Sequence, residues 1–502
     1  MGIRGIDAYP VEVEAFVAQG MPAFDVVGLP DNAVRESKDR VRAAMKTCGF
    51  DYPVSRITVN LAPADIKKVG AIYDVPVLLA VMAATGQIPQ ISQDTAFIGE
   101  LSLDGKIRRV AGVLPMVTKA RSVGITKFYI PQENAAEASV VEGVECYPVS
   151  SVGELVEHLT GGREIDPLSA ESFSESSALP TAPDYSDVKG QFAARRAMEI
   201  AAAGGHNILL IGPPGSGKSM LAKRFPSILP ELTYEEAVEV TKLHSVAGIL
   251  PSGVQLVKTR PFRSPHHNAS SAALAGGGAL AGPGEVSLAH KGVLFLDELP
   301  EFSPVAMEVL RQPLEDGVIT ISRAAGRLTY PCEFQLVAAM NPCRCGYYGH
   351  PTRECTCSPT AVAKYQGRVS GPLLDRIDLQ VEVPPVEYDN ISSGQPGESS
   401  ADMRKRVEAA RRIQLERLKG TGASCNARID PSLLHKLCNL TDSAQMMMKR
   451  AFESLDMSGR AYDRILKIAR TIADLENSPT VTSAHITEAV QYRVLSERAR
   501  NH

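Results

Sequence analysis

The run Gly212-Pro213-Pro214-Gly215-Ser216-Gly217-Lys218-Ser219 constrains this chain more than any other stretch. It fits the pattern G-x-x-x-x-G-K-[ST] and lies between an apolar run, Asn207 to Ile211, and a helix-like segment, Met220 to Arg224. Glycines let the backbone curl, so that successive N–H groups and the start of the next helix face anionic oxygens. Lys218 then neutralises β/γ-phosphate charge, and Ser219 ligates Mg²⁺. A glycine-rich turn without function has no reason to sit between a buried strand and a helix. The pattern therefore predicts an α/β core that binds ATP with Mg²⁺.

A second apolar run, Val293 to Leu296, delivers Asp297 and Glu298 at its end. Alone, such an acidic pair is a solvated strand end; downstream of a phosphate-binding loop it becomes catalytic. Asp297 is expected in the Mg²⁺ sphere and Glu298 beside the attacking water, because phosphoryl transfer needs positioning and charge compensation. A third run, Phe334 to Met340, ends at Asn341, whose amide is placed to orient that water. The blander reading of an Asn before Pro342 is a turn.

The chain has 502 residues, room for about three domains. Residues 1–162 read as a mixed α/β unit. Alternation at Val11, Val13, Ala15 and Val17, and at Ile57, Val59 and Leu61, predicts half-buried strands. Asp31 is expected to cap a helix carrying Val34, Val41 and Met45, and Asp104-Gly105 to turn a hairpin. Residues 163–187, rich in Ser, Pro and acids, read as a linker to the core at 188–385. A second polar stretch, 386–401, leads to a helical unit at 402–502 with Ile465, Ile468, Ala469, Ile472 and Leu475 at helical spacing. The N-terminus has no basic-then-apolar leader, and Val75 to Ala84 is too short to span a bilayer, so a cytoplasmic location with no membrane partner is expected. Net charge of −4 means that an anionic partner must be held by local cations.

Cys343, Cys345, Cys355 and Cys357 crowd into one segment, offering the thiolates of a closed structural Zn²⁺ site. Reduced free thiols are the competing reading. His350, between the pairs, reads as a loop residue in preference to a ligand. Pro265-His266-His267 is left structural, because adjacent side chains diverge and no third ligand is near in sequence.

Together these motifs resemble the AAA+ ATPases of the magnesium-chelatase-like branch, and specifically the ComM/YifB family. The resemblance is carried by RPFRSPHHNAS, GEVSLAHKGVLFLDELPEF, LRQPLEDGVITISRA, LVAAMNPCRCGYYG, SGPLLDRIDL and SGRAYDRILKIARTIADLE, covering most of residues 186 to 490. It implies that Asn341 is sensor 1 and that Arg376 is an arginine finger reaching a neighbouring subunit's γ-phosphate, which requires a closing ring, a hexamer. A local ion pair of Arg376 with Asp375 or Asp378 is the bland alternative. Sensor 2 is implied at Arg460, with Arg464 one turn further on as the alternative. The resemblance also implies an insert within Ala269 to Gly284 and a presensor hairpin, Val318 to Ser322 and Leu328 to Tyr330, with Arg323 and Arg327 at its tip facing DNA. The bland reading of these arginines is solvated hairpin charge.

FIGELSLDGKIRRVAGVL and ARSVGITKFYIPQEN are similar to the Lon protease catalytic domain, implying a ribosomal-S5-like α/β fold over roughly residues 60 to 160. Ile72 stands where that family has its nucleophilic Ser, and Leu114 where it has its Lys, so the implied unit is catalytically inactive and serves as a docking module for a protein partner or a collar above the ring. The expectation is thus an ATP-hydrolysing ring motor built from an S5-like unit, an AAA+ core and a helical lid. The implied activity is a DNA helicase or branch-migration factor on branched or single-stranded DNA, supporting homologous recombination in natural transformation. A chelatase-type ATPase remodelling a protein partner is the alternative.

Overall fold

Strands that are apolar at every position need a covered layer on each face. The strands Phe262–Arg263, Val293–Leu296, Gln335–Met340, Ile208–Ile211 and Leu379–Glu382 lie side by side in that order, every neighbouring pair parallel. Their side chains alternate between two cores. Ile208, Leu210, Val293, Phe295, Val337 and Ala339 enter one, which helix Phe192–Gly204 and the C-terminal helices close. Leu209, Leu294, Leu296, Leu336, Ala338 and Met340 enter the other, under Leu243, Met307 and the hairpin residues Ile319 and Ile321. Each fully buried Leu or Ile contributes about 1.5–3 kcal/mol. This mixed α/β architecture sets the strand leading to Gly212 between the strands leading to Asn341 and Val383. The computed structural model describes residues 1–168, 183–278, 282–323, 326–386 and 397–493.

Both expected linkers end in residues that the fold uses. Tyr185 is fully buried and its hydroxyl donates to Leu221 O at 2.9 Å. Its amide donates to Ser400 Oγ at 2.8 Å, and Gly397 N reaches Ser186 O. Ser399 caps helix Ser400–Arg417 by accepting from Asp402 N. A lone aromatic and a capping serine are easily lost in Ser- and Pro-rich composition, yet they seat the two ends on each other.

Helix Gly459–Leu475 buries Ile465, Ile468, Ala469 and Ile472 together with Asp474. The Asp474 carboxylate, fully buried, accepts from Arg417 at 2.6 and 2.7 Å, from Arg470 at 3.2 Å and from Asn426 at 2.8 Å. Removing one partner of such a buried cluster costs about 3–5 kcal/mol.

In the N-terminal unit, Glu12–Ala18 runs antiparallel to Arg56–Ala62 with Val13 opposite Leu61, Ala15 opposite Val59 and Val17 opposite Ile57. That register puts the predicted apolar residues on one face, against helices Ser37–Thr47 and Asp74–Ala84. Asp31 accepts from Val34 N at 2.8 Å, and Gly105 turns with φ +83° between the paired strands Glu100–Leu101 and Ile107–Arg108. A second sheet, Glu145–Val149, Lys127–Pro131 and Thr95–Phe97, is parallel throughout. Among the described residues, no helix is long and apolar enough to cross a membrane.

This unit is joined to the core through a polar seam. The buried Glu137 carboxylate accepts from Leu114 N at 3.2 Å, from Asn134 Nδ2 at 2.6 Å and from Ser245 Oγ at 2.5 Å on the core helix Tyr234–Val246. Gly112 N also donates to Ser245 O, and Arg109 to Leu250 O.

Candidate active site

The loop after Ile211 is shaped by three glycines. Gly215 and Gly217 have φ of +77° and +94°, and a Cβ on Gly212 would lie 2.2 Å from Val383 O. Helix Lys218–Arg224 begins at this loop. Lys218 is buried, and its ammonium donates to Gly212 O at 2.7 Å, Pro213 O at 2.8 Å and Asn341 Oδ1 at 3.2 Å. Burial holds it below the usual lysine range against the pull of Asp297 and Glu298. Ser219 Oγ donates to Asp297 Oδ2 at 2.6 Å. Thus the adjacent residues Lys218 and Ser219 reach the ends of two neighbouring strands, Lys218 bonding Asn341 and Ser219 bonding Asp297.

The loop fits a triphosphate with a divalent cation. The Ser216 hydroxyl is buried without a hydrogen-bond partner among the described residues, and the positive-φ glycines leave open space where side chains would stand. Ser219 and Asp297 are hard oxygen donors already within reach of each other, as Mg²⁺ requires. Pro214 packs against Gly346, where a Cβ would lie 2.4 Å from Pro214 Cδ.

Glu298 adopts a left-handed conformation, φ +52° and ψ +46°. For a residue with a Cβ this costs about 1–2 kcal/mol. The strained backbone turns its carboxylate toward His267, with Nδ1 3.2 Å from Oε2. The rings of His266 and His267 lie 4.1 Å apart, so these neighbours do not diverge. A His-His pair read locally gives no sign of this contact, because its partner stands on another strand.

Arg376 is held by Pro372 O at 2.7 Å and by the Glu315 carboxylate, a different acid from the Asp375 or Asp378 of the bland reading. Asp378 is taken by other groups: Asn207 N at 3.1 Å, His206 Nδ1 at 3.4 Å and Arg464 Nε at 3.5 Å. Burial works to raise its carboxyl, but His206, Arg464 and the Asn207 amide outweigh that and hold it below the ordinary range. Asn207 Nδ2 donates to Arg376 O at 3.1 Å, and its Oδ1 accepts from Leu336 N at 2.9 Å. One side chain at the start of the phosphate-loop strand therefore ties together the Asn341 strand and the Arg376 segment. His206, fully buried, bonds Thr471 at 2.8 Å and so reaches the C-terminal helices. On helix Gly459–Leu475, Arg464 is engaged by Asp378, whereas Arg460 is exposed.

The four cysteine sulfurs at 343, 345, 355 and 357 lie within 4.8 Å of one another. Cys343 and Cys345 are 3.3 Å apart, and each is 3.6 Å from Cys355. Backbone N–H groups of Tyr348 and Cys357 point at Cys343 and Cys355. His350 is not among them: its Nδ1 accepts from Thr352 N at 3.2 Å and Arg353 N at 3.0 Å.

The hairpin pairs Val318–Arg323 with Gly326–Pro331, and Arg327 is exposed. Ala324 and Ala325 of its expected turn lie outside the described residues. Gly276–Gly277 pairs with Gly282–Pro283 within the expected insert, whose residues 279–281 are likewise outside them.

The chain matches family models described as magnesium chelatase, subunit ChlI, at residues 184–391, subunit ChlI of Mg-chelatase at 13–134, and the subunit's C-terminal part at 397–493. It is 42% identical over 494 residues to the uncharacterized protein YifB of Escherichia coli (strain K12), covering 98% of this chain and 95% of that one. It is 42% identical over 499 residues to competence protein ComM of Haemophilus influenzae, covering 98% and 96%. A shorter similarity, 26% over 181 residues, reaches the Lon protease of Rhizobium meliloti, covering 34% of this chain and 22% of that protein. With identity of that order sustained along almost its whole length, the chain belongs to the magnesium-chelatase-like ComM/YifB family.

Proposed function

We propose that this chain is an ATP-hydrolysing AAA+ ring motor that acts on DNA, as a helicase or branch-migration factor supporting recombination in natural transformation. The observation that carries the ATPase is the convergence of two hydrogen-bonded pairs, Lys218 with Asn341 and Ser219 with Asp297, at adjacent ends of a parallel sheet. Mg²⁺ held by Ser219 and Asp297 would supply charge compensation to the phosphates. Lys218 exchanges its loop carbonyls for β/γ-phosphate oxygens, and Ser219 and Asp297 hold the metal. Glu298 aligns the attacking water once it leaves His267, and Asn341 fixes that water's second side. Arg376 supplies charge to the site of the next subunit in a hexamer, and the lid arginines, Arg464 or Arg460, sense the nucleotide from within the same chain.

Support for DNA comes from the relative named a competence protein and from the exposed hairpin arginine at 327. ATPase rate is expected to rise with branched or single-stranded DNA, and the stimulation to fade with salt as phosphate binding does. Arg323→Ala and Arg327→Ala should spare the basal rate while lowering stimulation. A wild-type protein indifferent to DNA at low salt points instead to a chelatase-type ATPase remodelling a protein partner, a reading that draws on the matched family's description as a magnesium chelatase subunit. The N-terminal unit serves as a docking module without peptidase activity, since Ile72 and Leu114 carry no ionisable group.

The four cysteines are proposed to hold structural zinc. Tetrahedral thiolates about 2.3 Å from Zn²⁺ stand roughly 3.8 Å from each other, close to the sulfur separations here. Bound zinc would fix the loop that leans on Pro214. Elemental analysis should find zinc at about one ion per chain, and a Cys343→Ser/Cys345→Ser variant should lose it along with thermal stability. Metal-free protein from reducing, chelator-free preparations would refute the site.

A further inference from the structure

Some exposed cations of this chain stand beside a carboxylate, as Lys405 does with Asp402, Lys449 with Glu453 and Arg368 with Glu301. One surface gathers four that do not into a single row. Along Asn32–Arg35 and helix Ser37–Thr47, whose intervening Glu36 keeps a helical conformation, Arg35, Lys38, Arg42 and Lys46 are all exposed. Their spacing puts them on one face, spread over about 16 Å. None of the four has a carboxylate within ion-pair distance among the described residues. The inward-facing Arg40 takes Asp74 at 2.6 Å and leaves the row. Asp39 stands among the four and offsets one charge.

The row continues at both ends. Beyond Arg35, the exposed Lys67 joins it in lining a cavity of about 470 Å³. The acid in that cavity, Asp31, already accepts from Val34 N and Gly70 N. Toward Lys46, the Arg42 guanidinium lies 5.8 Å from the centre of the half-buried Tyr52 ring, and Val54 is 81% exposed two residues on. Cations in line beside an aromatic and an apolar side chain match a strand that offers phosphates along one edge and unstacked bases along the other.

We infer that this face of the N-terminal unit is a second nucleic-acid contact, binding the phosphate backbone of single-stranded DNA through Arg35, Lys38, Arg42, Lys46 and Lys67. It rests on the DNA reading above but uses residues remote in sequence from the hairpin and from the phosphate loop. The unit becomes part of the track and not only a collar.

The test uses the full chain and a labelled oligothymidylate of about 30 nucleotides, with affinity followed between about 50 and 200 mM salt. The variant Arg35→Gln/Lys38→Gln/Arg42→Gln/Lys46→Gln should bind at least about tenfold more weakly at low salt. Its log–log salt slope should be shallower by about 0.7 for each phosphate that is no longer neutralised. Basal ATPase without DNA should be unchanged, which also shows that the variant is folded. Arg42→Lys should keep the wild-type salt slope, because the charge is kept. Wild-type affinity and slope in the quadruple variant would overturn the inference and leave the face to an acidic protein. If the wild type fails to bind oligothymidylate even at low salt, the inference falls, and the DNA reading falls with it only if branched DNA is not bound either.

Discussion

A Lys218→Ala chain should lose ATP affinity by at least about a hundredfold, whereas Glu298→Gln should bind ATP like wild type and turn it over about 10²–10⁴ times more slowly. The contrast follows from where the two side chains are anchored. Lys218 is buried in the loop and already donates to two of its carbonyls, so its removal costs both the phosphate charge partner and the loop's internal bracing. Charge-assisted bonds of this kind contribute about 1.5–3 kcal/mol each, and two of them account for the expected loss. Glu298 sits outside the loop at a strained strand end with its carboxylate paired to His267, and only its backbone N–H reaches Asp297 Oδ1, a contact that an amide side chain leaves in place. Its amide replacement keeps the shape and removes the base. Fluorescent-nucleotide titration separates affinity from turnover, and equal ATP affinity in Lys218→Ala and wild type would sink the assignment of the loop.

Arg376→Ala should leave nucleotide binding nearly intact and lower turnover by about 10³–10⁵, the range of an arginine supplied to a transferring phosphoryl group. Within its own chain this arginine is parked on Glu315 and Pro372 O, away from the groups that meet at Lys218. Its contribution is therefore expected across a subunit boundary. Mixing Arg376→Ala with Lys218→Ala subunits should restore partial hydrolysis, because hybrid interfaces then pair an intact loop with an intact arginine. An Arg376→Ala protein that hydrolyses ATP at the wild-type rate as a monomer would exclude the trans role.

What can be read in the sequence is whatever the chain encodes locally. The phosphate loop is contiguous, the Asp297-Glu298 pair directly follows its strand, and the alternation at Val13, Ala15 and Val17 survives as one packed face. Cysteine crowding is likewise legible. What depends on strand order is not: nothing near Asn207 announces that its amide will hold both Leu336 N and Arg376 O. His267, judged from its neighbour alone, shows nothing of its partner Glu298, which lies at the end of another strand. The row Arg35, Lys38, Arg42 and Lys46 becomes visible only once the helix is seen to face them outward while Arg40 turns inward to Asp74. Between Arg460 and Arg464, spacing states no preference; burial and Asp378 distinguish them.

The seam at Glu137 works as a keystone shared by two units. Leu114 is fully buried, and its amide donates to the same carboxylate that grips Ser245 of the core. A lysine at position 114 would bring an ammonium to Glu137 and compete with the hydroxyl that couples the two units. A change of charge at this one position of the N-terminal unit is therefore felt at the joint, so that the coupling to the motor core and the interior of the unit stand or fall on one carboxylate.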